Sequence, residues 1–164
     1  MSFSEISLDQ NLLSQSRAWT KQNFPRAVSI LGDLVKIPGI AWPAFDQSEL
    51  ERSAKAVADQ LKSIDFFDFV EIRRSKKPSG EDGAPAVLAR RQGASDAPHI
   101  LLYAHHDVQP PGERQLWQSE PFEVTQIGDR LYGRGAADDK AGIITHLFAL
   151  KGLSELADQL RIGV

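Results

Sequence analysis

Three side chains that could do chemistry, His105, His106 and Asp107, directly follow a near-continuous apolar run at residues 99–104. Imidazole and carboxylate groups are ligands that suit zinc, manganese and cobalt. In extended chain, residues two apart point the same way, so His105 and Asp107 share a side and His106 faces away. A carboxylate beside an imidazole fixes its tautomer and raises its basicity. The pattern predicts His105 as a metal ligand oriented by Asp107; the alternative is that both only end a strand and start a turn.

A second cluster is the pair Asp138-Asp139, which Gly133 and Gly135 precede. Acidic residues at a helix start cap the helix and complement its dipole, which could be their entire role. A phosphate-binding loop is disfavoured, because two carboxylates would repel the anion that such a loop attracts. The alternative is a cation site, since aspartates commonly bridge the metal ions of two-metal hydrolases. The pair is therefore interpreted either as a helix cap or as a metal ligand.

Other nucleophiles and ligands are scarce. The chain has no cysteine, which excludes disulfides and thiolate ligands, so histidines and carboxylates would have to hold any metal. His99 and His146 are interpreted as structural residues. No serine lies in a nucleophile-elbow pattern.

The first third of the chain has helical periodicity. One helix is predicted around residues 8–19, and a second is predicted to begin near Asn23 with Pro25 in its first turn. A third is expected to begin near Asp46 or Ser48. Helices therefore precede the two clusters.

Strands are predicted in the middle of the chain, at residues 67–72, 86–89 and 99–104, the last as a strand buried on both faces. A hairpin is expected from residues 122–126 and 130–132. Asp138 or Asp139 should then cap an amphipathic helix, and a last strand should begin at residues 161–164. The apolar positions expected on that helix are Ile143, Ile144, Leu147, Phe148 and Leu150. This order predicts an α/β fold, a mixed sheet covered by helices.

The bulk properties are those of an ordinary globular domain. The 164 residues are 41% hydrophobic and 25% charged, with a net charge of −3, which argues against a nucleic-acid partner. The basic residues at 73–77 are flanked by acids and are interpreted as a solvated loop. The N-terminus has no signal-peptide pattern and the apolar run 100–104 is too short to span a bilayer, so we expect a cytoplasmic protein without a membrane partner.

Two motifs in this order resemble a known family. Residues 101–110 (LLYAHHDVQP) and 131–142 (LYGRGAADDKAG) resemble the first and second metal-binding motifs of certain zinc metallopeptidases. That family includes carboxypeptidase G, acetylornithine deacetylase, succinyl-diaminopimelate desuccinylase and the carnosine dipeptidases. The segment 107–110, with Trp117 and Pro121-Phe122, is more similar to the dipeptidase branch than to the deacylase branch.

The resemblance implies roles for three residues. His105 would ligate one zinc ion, Asp107 would orient and tune His105 during catalysis, and Asp138 would bridge two ions. The cofactors would be two divalent metal ions, zinc first, with manganese or cobalt as alternatives. The Asp138-Asp139 peptide would be cis.

The resemblance also implies which parts of the protein lie outside residues 1–164. Residues 1–164 would be the N-terminal part of a three-layer catalytic domain. The Glu-Glu pair that supplies the general base, the remaining ligands, the rest of that domain and a lid domain used for homodimerisation would follow Val164. The expected function is hydrolysis of peptide bonds in dipeptides or small peptides. Two alternatives stay open: an N-acyl amino acid deacylase, and a truncated, catalytically inactive fragment.

Overall fold

The computed structural model of the chain describes residues 10–156 and 162–164. Leu8 and Arg161, which were included in the first predicted helix and the last predicted strand, lie outside that range. None of the helices within it is long and apolar enough to cross a membrane. The elements in chain order are α1 (Gln10–Val35), α2 (Gln47–Lys62), β1 (Phe69–Arg73), β2 (Ala86–Arg90), a 3-10 turn (Arg114–Leu116), β3 (Thr125–Ile127), β4 (Arg130–Tyr132) and α3 (Lys140–Leu156).

The first helix is continuous through Pro25, so the prediction of two separate helices was wrong. A proline inside a helix removes one hydrogen bond and costs about 3 kcal/mol. Packing on both sides of the proline offsets that cost. Before it, the Trp19 ring lies 6.1 Å from the Phe148 ring of α3, and after it, Leu31 and Leu34 are buried. Tertiary contacts with α3 therefore override the local preference.

The second helix begins where the sequence predicts. Asp46 is its N-cap, with extended backbone, and its carboxylate accepts a hydrogen bond from the Ser48 N–H. That hydrogen bond lowers the pKa of Asp46. Leu50, Ala54 and Val57 line the buried face of the helix.

Two antiparallel hairpins follow. β1 pairs with β2 from Phe69 opposite Arg90 to Arg73 opposite Ala86, and β3 pairs with β4. Gly128, with a φ of 64°, forms the tight turn of the second hairpin. The basic residues near β1 form ion pairs with acidic neighbours, such as Lys76 with Asp82 at 2.7 Å, which confirms the solvated loop.

The apolar run 99–104 differs from its prediction. It forms no regular strand, and Leu101 is 93% exposed and Tyr103 is 78% exposed, so the prediction of a strand buried on both faces was wrong. Such burial needs a strand on each edge and a layer on each face. Within the part of the chain that the structure describes, the run makes only one parallel bridge, between His99 and Gly163. The hairpins form two separate sheets rather than one mixed sheet.

The core lies between the C-terminal half of α1 and the apolar face of α3, with α2 at its side. Burial of four of the five apolar positions predicted for α3 is confirmed: Ile143, Ile144, Leu147 and Leu150. Ala136, in the loop that leads to Asp138, belongs to the same core. The loop of the second cluster is therefore packed against the main core.

Replacing Leu147 by alanine tests this core. Leu147 is 1% exposed, so Leu147→Ala should lower the free energy of unfolding by about 2–5 kcal/mol. Leu116→Ala is the control, because Leu116 is 78% exposed and its loss should change stability by less than about 0.5 kcal/mol. Urea unfolding measures both, and equal effects would contradict this packing.

Candidate metal centre

The loop of the first cluster is anchored on both sides. Val108 is buried, its N–H donates to the Gly39 carbonyl at 3.0 Å, and it forms a parallel bridge with Ile40. His106 points away from His105, as predicted. Its Nδ1 lies 3.2 Å from Ser53 Oγ, and its backbone carbonyl accepts a hydrogen bond from the same hydroxyl at 2.9 Å. These contacts fix the backbone on either side of Asp107.

His105 lies between two aspartates. Its Nδ1 is 3.1 Å from the Asp107 carbonyl and 3.3 Å from the Asp107 carboxylate. Its Nε2 is 3.0 Å from Asp138 Oδ1. The structure therefore brings together all three predicted site residues, which come from loops more than 30 positions apart. With the Nδ1 proton held by Asp107, Nε2 is the nitrogen that faces Asp138.

The two adjacent histidines have opposite electrostatic environments. Burial is the largest single influence on the pKa of His105 and lowers it. Hydrogen bonds to the Asp107 carbonyl and the Asp138 carboxylate, with the charges of both aspartates, outweigh burial and raise that pKa. For His106, burial dominates and lowers the pKa. The protonated form is therefore favoured at His105 and disfavoured at His106.

Glycine allows the second loop to approach the first. Gly135 has a φ of 83°, and a Cβ there would lie 2.6 Å from Val108 Cγ1. The Gly135 carbonyl accepts a hydrogen bond from the Lys140 N–H at 3.0 Å, which closes the loop around the two aspartates. The Asp138-Asp139 peptide is cis, as the resemblance implied.

The two aspartates differ in their contacts. The Asp139 carbonyl accepts hydrogen bonds from the N–H groups of Gly142 and Ile143, and so begins the α3 ladder. Its carboxylate accepts from the His105 backbone N–H at 3.3 Å. The Asp138 carboxylate instead faces the His105 ring, and its side chain is 79% exposed. Helix capping falls to Asp139, and Asp138 is the carboxylate available to a ligand.

The His105 and Asp138 donors fit a divalent metal ion. Nε2 and Oδ1 are 3.0 Å apart, less than the sum of two metal–ligand bonds of about 2.0–2.1 Å each, so both could contact one ion. Imidazole with carboxylate is a donor set that zinc accepts. The described ranges, residues 10–156 and 162–164, contain no group of three or more metal-ligating side chains. The metal-binding roles of these two residues stay predictions.

A groove of about 400 Å³ runs beside the first cluster. The segment 101–107 forms one wall, and β2 with parts of α2 and α3 forms the others. Most of its surface is apolar, and His105 and Asp107 lie on its lining. The groove therefore gives a small amphipathic molecule or a polypeptide segment access to the side of the centre.

Lys140 is a residue that the sequence reasoning missed. Its ammonium group is buried at the start of α3 and donates to the carbonyls of Leu34 and Ile37 at 2.7 Å each. Burial, followed by the charge of Arg52, lowers its pKa to about 8. A sequence signal was available: a lysine at the first position of a helix opposes the helix dipole and therefore needs another reason to be there.

The segment that carries both clusters matches a family of peptidases. Residues 101–163 match the profile of Peptidase family M20/M25/M40. The chain is therefore similar to the M20/M25/M40 peptidases over this segment, and the predicted resemblance is confirmed.

Particular relatives include both a dipeptidase and a deacylase. The chain is 42% identical over 105 residues to the cysteinylglycine-S-conjugate dipeptidase of Corynebacterium striatum, covering 64% of this chain and 22% of that protein. It is 38% identical over 107 residues to the succinyl-diaminopimelate desuccinylase of Erythrobacter litoralis, covering 62% and 28%. A di-peptidase structure from Saccharomyces cerevisiae matches with a TM-score of 0.80 at 21% identity, covering 95% of this chain and 34% of that chain.

The structural match confirms the predicted class of catalytic domain, of which the described residues form helices and two small antiparallel sheets. The coverage adds a second fact, since the chain spans between 22% and 34% of the lengths of these three relatives. The catalytic activity of the whole protein is therefore a matter for proposal.

The histidine environments predict opposite titration shifts. The midpoint of His105 should lie above the usual imidazole pKa of about 6.5, and that of His106 below it. The stability that His105 contributes is present below its unfolded pKa and lost as pH rises through its folded pKa. The folded protein instead favours the neutral form of His106. Stability is therefore lost as pH falls through the pKa that His106 has in the unfolded chain.

Imidazole NMR of the metal-free chain measures both midpoints. Asp107→Asn should lower the His105 midpoint, because it removes a charge beside Nδ1. A His105 midpoint below that of His106 would contradict the described geometry.

Two helical glycines give a second, matched test. A Cβ at Gly142 would lie 2.9 Å from Asp139 Cγ, whereas a Cβ at Gly32 meets nothing within 4 Å. Gly32→Ala should stabilise the fold by about 1 kcal/mol through helix propensity. Gly142→Ala should destabilise it by about 1–3 kcal/mol through overpacking and should shift the His105 amide resonance. Urea unfolding and amide NMR distinguish the variants, and equal stabilisation by both would refute the contact.

Proposed function

We propose that the protein is a metal-dependent hydrolase that cleaves the peptide bond of dipeptides or other small peptides. The observation that carries this proposal is the approach of His105 Nε2 to Asp138 Oδ1 at 3.0 Å. Both residues lie within the segment that matches Peptidase family M20/M25/M40. A relative named as a dipeptidase, at 42% identity, supports the choice of substrate class.

In this proposal His105 and Asp138 hold the metal, and zinc is the preferred ion, with manganese or cobalt as alternatives. His105 would hold one ion through Nε2. Asp138 would hold both ions, since its exposed carboxylate has two oxygens. The bound ions would activate a water molecule and polarise the scissile carbonyl.

Asp107 acts through His105. Its carbonyl and carboxylate lie within 3.3 Å of Nδ1 and would accept a proton there, so that Nε2 is the nitrogen that would bind the metal ion. This contact also raises the basicity of the imidazole as a ligand. Asp107 is therefore a positioning residue for His105 and need not touch the substrate.

The group that takes the proton from water is proposed to lie outside these 164 residues. Asp139, the nearest other acid, is engaged by the His105 N–H and by the first turn of α3. Coverage of 22–34% of the relatives supports the interpretation that residues 1–164 are one part of a catalytic domain. We further propose that the remaining ligands, a lid domain and a homodimer interface lie elsewhere in a longer protein, and that the 164 residues alone are inactive.

The second candidate is an N-acyl amino acid deacylase, which the 38% identity to a succinyl-diaminopimelate desuccinylase favours. Both reactions hydrolyse an amide bond, but the two substrates differ in the acyl group. Assaying the full-length protein on a panel of dipeptides and a panel of N-acyl amino acids separates them. Turnover confined to the N-acyl panel would replace the first proposal with the second.

Substitution of Asp138 tests the metal site itself. In the full-length protein, Asp138→Asn should remove bound zinc and lower kcat/KM by at least about 1000-fold, because the neutral amide is a poor bridging ligand. Asp129→Asn is the control, since Asp129 is an exposed acid at the hairpin turn. Metal content by mass spectrometry and peptide turnover are the measurements. Undiminished turnover in Asp138→Asn would overturn the proposal.

A further inference from the structure

Lys140 carries a charge in the core. Lys140 is 1% exposed, and no other Lys, Arg, Asp or Glu among residues 10–156 and 162–164 is buried. Burying an ammonium group is costly unless it is hydrogen-bonded. The Lys140 Nζ donates to the carbonyls of Leu34 and Ile37, each at 2.7 Å. A charge kept in the core at this cost calls for an explanation.

The Leu34 carbonyl lies in the last turn of α1, and the Ile37 carbonyl lies two residues beyond the helix end at Val35. Each also accepts a backbone N–H, Leu34 from Ile37 and Ile37 from Gly39. The negative end of the helix dipole favours a cation at this place, and the Lys140 ammonium is that cation. It therefore connects the first residue of α3 to the last turn of α1.

The rest of Lys140 closes the loop that carries Asp138. Its backbone N–H donates to the Gly135 carbonyl at 3.0 Å. Its aliphatic stem lies against Gly135, where a Cβ would be 3.3 Å from Lys140 Cδ. Lys140 thus closes the base of the loop 135–140. Asp138 lies inside that loop with its side chain 79% exposed, so its position follows from the loop backbone rather than from packing of the carboxylate.

The other half of the centre is attached to the same place. The Val108 N–H donates to the Gly39 carbonyl at 3.0 Å, two residues beyond Ile37. Val108 follows His105 by three positions along the first loop. The segment 34–40 therefore holds both loops, one through Lys140 and one through Val108.

We propose that Lys140 is a positioning residue of the metal centre, which ties the Asp138 loop to the end of α1 and so sets the separation of Asp138 from His105. The proposal rests on the proposed function only in that the two side chains bind metal. The alternative is a stability role alone, in which Lys140 supports the core and its loss leaves the centre unchanged.

Three variants separate these explanations. Lys140→Met keeps the stem and removes the two hydrogen bonds. Lys140→Arg keeps a cation that can still donate to both carbonyls. Leu147→Ala is the matched control, because it destabilises the same helix two turns beyond Lys140 and removes no hydrogen bond of the loop 135–140. Urea unfolding establishes conditions in which all three variants are folded.

The first measurement uses metal. In the full-length protein, Lys140→Met should weaken Co²⁺ binding about 10- to 100-fold and change the visible absorption spectrum of the bound ion. Lys140→Arg should recover part of the affinity, and Leu147→Ala should bind as the wild type does. Wild-type affinity and an unchanged spectrum in folded Lys140→Met would overturn the proposal.

The second measurement needs no metal. In the metal-free chain, the His105 ring resonances should shift in Lys140→Met, because the contact of Nε2 with Asp138 is lost, and should stay unchanged in Leu147→Ala. Unchanged His105 resonances in Lys140→Met would also overturn the proposal. If the wild-type protein binds no Co²⁺, the proposed function fails, and the NMR result still decides the role of Lys140.

Discussion

The hydrogen bonds at the end of α1 are the constraint on which the candidate metal centre depends. Residues 34–40, which include the last turn of α1 and the turns after it, present backbone carbonyls to the two loops. Lys140 donates to two of them and Val108 to a third. Because His105 lies near Val108 in the chain and Asp138 lies near Lys140, one short backbone segment determines where both ligands stand. The core between α1 and α3 then keeps that segment in place.

Each pair of adjacent polar residues separates into two roles. His105 faces the centre and His106 faces Ser53, because extended backbone alternates its side chains. Asp138 faces His105, while Asp139 begins α3 and accepts a hydrogen bond from the backbone of the first loop. One member of each pair holds the loop and the other is available to a ligand.

Local signals in the sequence predicted the local structure well. Asp46 caps α2 as expected, and the two strands predicted at residues 67–72 and 86–89 and the predicted hairpin form close to their predicted positions. These features depend on interactions within a few residues, which a sequence displays directly. Two predictions that depended on distant partners were wrong: the break of the first helix at Pro25, and burial of the run 99–104 on both faces. Packing against α3 keeps the first helix continuous. The run 99–104 has few strand partners among the described residues, and it is therefore exposed.

The sequence by itself determined the two clusters, the orientation of the first, and the resemblance to a peptidase family, because residue type and spacing carry that information. It left open whether Asp138 or Asp139 caps the helix, and it gave no role to Lys140. Only the tertiary structure decided that Asp138 meets His105 at 3.0 Å and that a buried lysine holds the Asp138 loop. The physical reason is that these contacts join residues 33 to 106 positions apart, and local pattern carries no information about such pairs.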